Sequence, residues 1–202
     1  MTIGPPPLRH MRAGIGISDH SGWAVLIAVG GDQAAPRLLM RRRLQLIDGQ
    51  LPRQVYHAVA EQGRPRSLIP EVLASAATES TRELAQATAE LREAGYVVTR
   101  IAVAGKPGPA PSLERILASH ALLHGAEGHL YRDALAEAAA DFGLAVTRFI
   151  AKELAFVAAG AIGLTSEAIN DHIAVIGKAA GPPWTQDQKR AAMAAWMALA
   201  AG

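Results

Sequence analysis

The stretch GISDHSGWAVLIAVGGD, Gly16 to Asp32, decides the reading of the fold. It sets an acidic residue and a glycine in a short polar break between two apolar runs. Residues 12–18 read as a strand, Asp19-His20-Ser21-Gly22 as a turn, and residues 23–30, WAVLIAVG, as a second strand. Gly30-Gly31-Asp32-Gln33 signals another turn, and residues 37–47, RLLMRRRLQLI, form a third strand that stops at Asp48-Gly49. Three successive strands with tight turns make an antiparallel meander. Asp19 has two readings at this point. An Asx turn wants such a residue for its own backbone, and a strand end facing a metal-bound phosphate wants it for chemistry.

Beyond the meander the pattern changes. Residues 53–62 fit a short helix and residues 68–94 a longer one, with Gly95 as its stop. Residues 96–103, YVVTRIAV, form a fourth strand, followed by the stiff loop GKPGPAP from Gly105 to Pro111. Ser112 can cap a helix that runs to about Phe142 and ends at Gly143. Residues 144–150 form a fifth strand. Residues 151–180 are mostly helical, with breaks near Gly160 and Gly163, and Pro182-Pro183 closes them. Thr185 opens the last helix, with Gln188 as its capping-box partner. The order β-β-β-α-β-α-β-α predicts an α/β fold: a mixed five-stranded sheet flanked by helices, with strands four and five parallel to strand one. No linker composition interrupts residues 11–202, so they read as a single domain, and Pro5 to Pro7 make residues 1–10 a tail.

The 202 residues carry a formal net charge of +2 and a sequence pI of about 9.2. That permits an anionic partner without demanding one. Cysteine is absent, which excludes a disulfide framework and thiolate chemistry and fits a cytoplasmic location. The start, MTIGPPPLRHMRAG, lacks the apolar core of a secretory signal. No apolar run reaches the roughly 20 residues of a membrane span, so no membrane partner is expected. GKPG is not a phosphate-binding Walker loop, and the GxSxG of a hydrolase nucleophile is missing.

The most unusual segment is SHALLHGAEGHLYRDAL, Ser119 to Leu135. At 100° per residue, Leu113, Leu117, His120, His124, Glu127, Tyr131 and Leu135 fall in one stripe, apolar at both ends and polar in the middle. Such a stripe should point into the protein, as a buried polar network or as a site. His120 and His124 have the i, i+4 spacing of zinc-binding helices, without the glutamate of HExxH. Glu127 offers a third ligand for a zinc alternative. Asp187 lies in the first turn of the last helix, where a negative charge is favoured. The face continuing from it, Ala191, Ala194, Ala195 and Ala198, is small enough to lie close against a sheet. Trp184 reads as an aromatic that docks that helix, and Arg41 to Arg43 divide between the two faces of their strand.

The meander opening on GISDHSGWAVLIAV resembles the first hairpin of the ribonuclease H-like superfamily. The βαβ rhythm and the closing helix TQDQKRAAMAAW resemble its Holliday-junction resolvase branch. That resemblance implies a metal-dependent endonuclease acting on structured DNA, with Mg²⁺ or Mn²⁺ held by carboxylates that activate water. Asp19 then matches the first catalytic aspartate and Asp187 the late one; Glu127, which is not at the family's position, is the candidate third carboxylate on the metal, and His124 or His120 the candidate proton shuttle. DNA is the expected partner, and a homodimer is left open.

Two departures stand out. The resemblance calls for a glutamate at the end of strand four, where the chain reads AVAGKPGPAPSLE, with Glu114 ten residues past Ala104. The last helix offers Lys189 and Arg190 where a further acid is expected. The alternative reading is a non-catalytic binding or structural protein of the same fold. An actin-like nucleotide-binding fragment is a more distant one.

Overall fold

The computed structural model describes residues 11–106 and 108–202; the expected tail over residues 1–10 lies outside them. The meander is built from β1 (Met11–His20), β2 (Trp23–Gly30) and β3 (Arg37–Gln45). β1 runs two residues further than its pattern predicts, because Asp19 and His20 still pair with Ala24 and Trp23. Their side chains find partners that keep the strand extended: Asp19 bonds Arg132, and the His20 ring stacks on Trp23 at 4.1 Å. The turn shrinks to Ser21-Gly22, with Gly22 at φ 82°.

The chain continues through α1 (Val55–Glu61), α2 (Leu68–Glu93) and β4 (Tyr96–Ala104). The single helix expected from Ser112 to Phe142 is two helices, α3 (Leu113–Leu117) and α4 (His120–Asp141). Ser119 takes an extended backbone, φ −139° and ψ 113°, and starts α4 afresh. β5 (Ala145–Phe149), a 3₁₀ turn at Ala151–Glu153, α5 (Leu154–Ile162), α6 (Ser166–Ala180) and α7 (Gln186–Ala200) complete the order. The Thr185–Gln188 capping box opens α7 as its sequence implies.

The five strands form one mixed sheet in the order β3-β2-β1-β4-β5. β1 pairs antiparallel with β2, and β2 with β3. β1 pairs parallel with β4, and β4 with β5. Helices cover both faces, as the element order predicts. On one face Ala13, Ile15 and Ile17 of β1 pack into a core with α2 and α4. On the other face the sheet meets α7, with α5 and α6 outside it.

The α7 contact is unusually close. A Cβ added to Gly14 would lie 2.4 Å from the Ala195 carbonyl oxygen, and one added to Gly16 would lie 2.1 Å from that of Ala191. Two glycines in the strand and an alanine face on the helix therefore let backbone approach backbone. Trp196, on the same helix, is buried and donates its indole N–H to the Gln33 carbonyl at 2.8 Å. Trp184 lies on Gly177 of α6, where an added Cβ would fall 2.2 Å from the indole.

β3 is an edge strand, and its arginines are tied to the fold: Arg37 donates to the Tyr96 hydroxyl. Arg42 bonds Glu90 of α2. On the other face Arg41 donates to the carbonyls of Gly181 and Pro183, and Arg43 lies 3.6 Å over the Trp23 ring. Charged groups of this kind also protect a free edge from pairing with another chain.

Candidate functional site

The end of β1 presents two neighbouring polar side chains to opposite layers, because strand side chains alternate. Asp19 follows Ala13, Ile15 and Ile17 onto the α4 side. Its Oδ2 accepts from Nε of Arg132 at 2.7 Å. Ser18 follows Gly14 and Gly16 onto the α7 side. Its hydroxyl donates to Oδ1 of Asp187 at 3.1 Å. His20 reaches the same carboxylate, with Nε2 3.1 Å from Oδ2. The start of α7 therefore meets Ser18 and His20 in these contacts, while Asp19 is engaged by α4.

A cleft of about 560 Å³ opens where β1, β4 and β5 end. Asp19 is the sole carboxylate among its lining residues, and it is ion-paired. Around it stand Lys106 after β4, Arg132 on α4, Lys152 after β5 and Arg190 on α7. The place of the middle acid implied by the resemblance is filled by Ala104, Gly105 and Lys106. Arg190 lies one helical turn beyond Asp187. An adjoining depression continues the basic character with Lys152, Lys189 and Arg190. Among the described residues Lys106, Lys152, Lys189 and Arg190 make no salt bridge. A surface with this charge suits phosphate oxygens.

Glu127 occupies a different place. It is buried, and its Oε1 accepts from the backbone N–H of Tyr56 at 2.7 Å and of His57 at 3.2 Å, at the start of α1. His57 Nδ1 lies 3.4 Å from the same oxygen. Burial raises the Glu127 pKa above the ordinary carboxylate value, and the hydrogen bonds from His57 and Tyr56 oppose that rise. Burial first, and then the Glu127 carboxylate, raise Tyr56 and Tyr131. Tyr131 keeps its proton and donates to the Arg53 carbonyl at 2.7 Å.

His120 and His124 are exposed although they continue the Glu127 stripe. The stripe expected to point inward is thus buried only from Glu127 onward, because the face that the first turns of α4 bury is centred on Leu123 and Leu130, with His120 and His124 at its edge. His120 turns its Nδ1 to Glu61 of α1 at 2.7 Å. That hydrogen bond holds the exposed Glu61 carboxyl below its usual range. Together with His57, the two histidines bring one ring nitrogen each to within 4.8 Å of one another. This is the set among the described residues whose donors converge as metal ligands do, and it could hold a divalent ion.

Asp19, Glu127 and Asp187 are therefore not gathered at one point. Asp19 and Asp187 take partners on the two faces of β1, and Glu127 joins α4 to α1. His124 belongs with His57 and His120, not with Asp19. Sequence reasoning missed His57, Glu61, Arg132 and Lys152. His57 and Glu61 have the same i, i+4 spacing on α1 as His120 and His124 on α4, which was the available signal. Nothing local distinguishes Arg132 or Lys152.

No protein-family model matches the chain, and no curated protein matches it. Among solved structures it is similar to RuvC of Thermus thermophilus in complex with a Holliday-junction substrate, at 13% identity and TM-score 0.53. That match covers 93% of this chain and 91% of the other. A second structure of Thermus thermophilus RuvC matches at 15% identity and TM-score 0.50, with 92% of each chain covered. Among the described residues, no helix is long and apolar enough to cross a membrane. The five-stranded mixed sheet, the helices on both its faces and a likeness spanning nearly the full length give this chain the ribonuclease H-like fold seen in RuvC of Thermus thermophilus.

Proposed function

We propose that the chain is a non-catalytic ribonuclease H-like protein that binds the phosphate backbone of structured DNA in the cleft at the ends of β1, β4 and β5. The observation that carries this reading is the Asp19–Arg132 ion pair in a cleft whose other charged lining residues are Lys106, Lys152 and Arg190. A pair of Mg²⁺ or Mn²⁺ ions needs several carboxylates around one point. Here one carboxylate is already neutralised by a guanidinium, and further cations would repel the ions. The residues present do not fit that metal pair, and no hydrolytic step is assigned to them. The same cations suit phosphates, which they attract without base specificity.

The likeness to a resolvase bound to a Holliday junction directs the choice of ligand toward branched DNA. The second reading is a metal-dependent endonuclease with Asp19 and Asp187 as its surviving acids. It is favoured by the fold and by the place of Asp19 at the end of β1, where Asp187 of α7 contacts the neighbouring Ser18 and His20. Binding and cleavage of a synthetic four-way junction, followed with and without Mg²⁺ or Mn²⁺, separate the two readings.

A further inference from the structure

The cluster of His57, His120 and His124 has no role in the cleft. It joins the short α1 to the first turn of α4, and it is built from three imidazoles with carboxylates behind two of them. The Nδ1 atoms of His57 and His120 are turned to Glu127, at 3.4 Å, and to Glu61, at 2.7 Å. A carboxylate at Nδ1 holds the proton there and leaves Nε2 with its lone pair. This is how metal-ligating histidines are oriented, and the carboxylate also makes the ligand more basic.

The Nε2 atoms of His120 and His124 face each other at 3.1 Å. With the His120 proton held at Nδ1 by Glu61, the donor of this pair is Nε2–H of His124 and the acceptor is Nε2 of His120. The remaining nitrogen, Nε2 of His57, is buried and has no hydrogen-bond partner among the described residues. The His57 side chain is only 9% exposed, so that nitrogen is a desolvated lone pair. A buried polar atom without a partner is uncommon and costly.

We propose that His57, His120 and His124 form a binding site for a transition-metal ion of the Zn²⁺ class, with Glu127 and Glu61 as the carboxylates that orient two of its ligands. Tetrahedral Zn²⁺ takes imidazole nitrogens at about 2.0–2.1 Å, which sets the ligand nitrogens about 3.3 Å apart. The His120–His124 separation is already close to that. One ring nitrogen of each of the three histidines lies within 4.8 Å of those of the other two, so rotation of the exposed His120 and His124 rings is needed to bring the set to that spacing. Neutral imidazoles select Zn²⁺, Ni²⁺ or Cu²⁺ over Mg²⁺ and Mn²⁺, which prefer oxygen. With three protein ligands, the fourth position faces solvent on the exposed side of His120 and His124 and takes water. The ion would clip α1 to the start of α4. The site is independent of nucleic-acid binding in the cleft.

The test is titration of the full chain with Co²⁺ and then with competing Zn²⁺, read by the visible d–d absorption of tetrahedral cobalt. The wild type should bind one ion per chain and show the tetrahedral spectrum, which Zn²⁺ displaces and millimolar Mg²⁺ does not. His120→Ala and His124→Ala, both at exposed positions, should each weaken binding by about 100-fold or more. Glu61→Gln should weaken it by about 10-fold and keep the tetrahedral spectrum, which an unrelated surface residue would not do. Circular dichroism of each variant shows that the fold survives. Absence of a tetrahedral spectrum in the wild type overturns the proposal, as does binding unchanged in both histidine variants.

Discussion

Arg132 Nε lies 2.7 Å from Asp19 Oδ2 and joins the middle of α4 to the end of the central strand β1. The Asp19 side chain is 8% exposed and that of Arg132 28%, so the pair is largely withdrawn from water. Removing one partner of a fully buried pair costs about 3–5 kcal/mol, because the other charge is left alone. The partial exposure of Arg132 lowers that figure. Arg132→Met should destabilise by about 2 kcal/mol in urea unfolding. Asp19→Asn in the same background should recover most of the loss, since it removes the stranded charge. Equal stability of the R132M single mutant and the wild type would show that the pair contributes nothing.

The approach of α7 to β1 depends on Gly14 and Gly16. A Cβ at Gly16 would collide with helix backbone, which cannot rotate away as a side chain can. Gly16→Val should cost at least about 3 kcal/mol by overpacking, with a matching loss of melting temperature. Gly31→Ala is a useful contrast. Its φ of 95° strains an L residue, but only the distal Arg37 side chain is near, so the cost should be smaller.

Glu127 gives a pH prediction. Burial raises its pKa in the folded chain above the ordinary value of 4.5. The folded state therefore holds this proton to a higher pH than the unfolded chain does. The stability linked to it is fully present below the unfolded value and is lost as pH rises through the folded one. Glu127→Gln removes that titration while keeping an oxygen to accept from the Tyr56 and His57 N–H groups. The wild-type stability minus that of E127Q should fall as pH rises above 4.5. A difference that grows over that interval would overturn the assignment. Glu127→Ala leaves both buried N–H groups without their acceptor and should cost about 2–3 kcal/mol at neutral pH.

The sheet was legible because its signals are local. Apolar runs bounded by Gly and Asp mark β1 to β3, and the Thr185–Gln188 pair marks the start of α7. The alanine face of that helix announced a close contact, and Gly14 and Gly16 supply its other half. The break at Ser119 was not legible, since no Gly or Pro marks it and the helical stripe continues through. The site was legible only in part. Glu127 was singled out correctly as a polar residue within a buried stripe, but its partner lies 70 residues away on a helix too short to show a period. Asp19 carries no sign of Arg132, 113 residues away. Which side of β1 a residue at the strand end faces follows from register, and the extra pairing of Asp19 and His20 keeps Asp19 in the strand's alternation, on the layer opposite Ser18.

The most direct measurement is fluorescence anisotropy of a labelled four-way DNA junction, with a gel assay for cleavage of the same DNA in Mg²⁺ and in Mn²⁺. The chain should bind in the presence of a chelator and leave the junction uncut in either metal. Its affinity should fall steeply with salt, and Lys106→Ala, Lys152→Ala and Arg190→Ala should each reduce the log–log salt slope by about 1. Asp19→Asn should keep binding intact. Cleavage that requires Mg²⁺ or Mn²⁺ and disappears in D19N and D187N would contradict the non-catalytic reading. Failure to bind the junction at low salt would contradict the assignment of the cleft to nucleic acid.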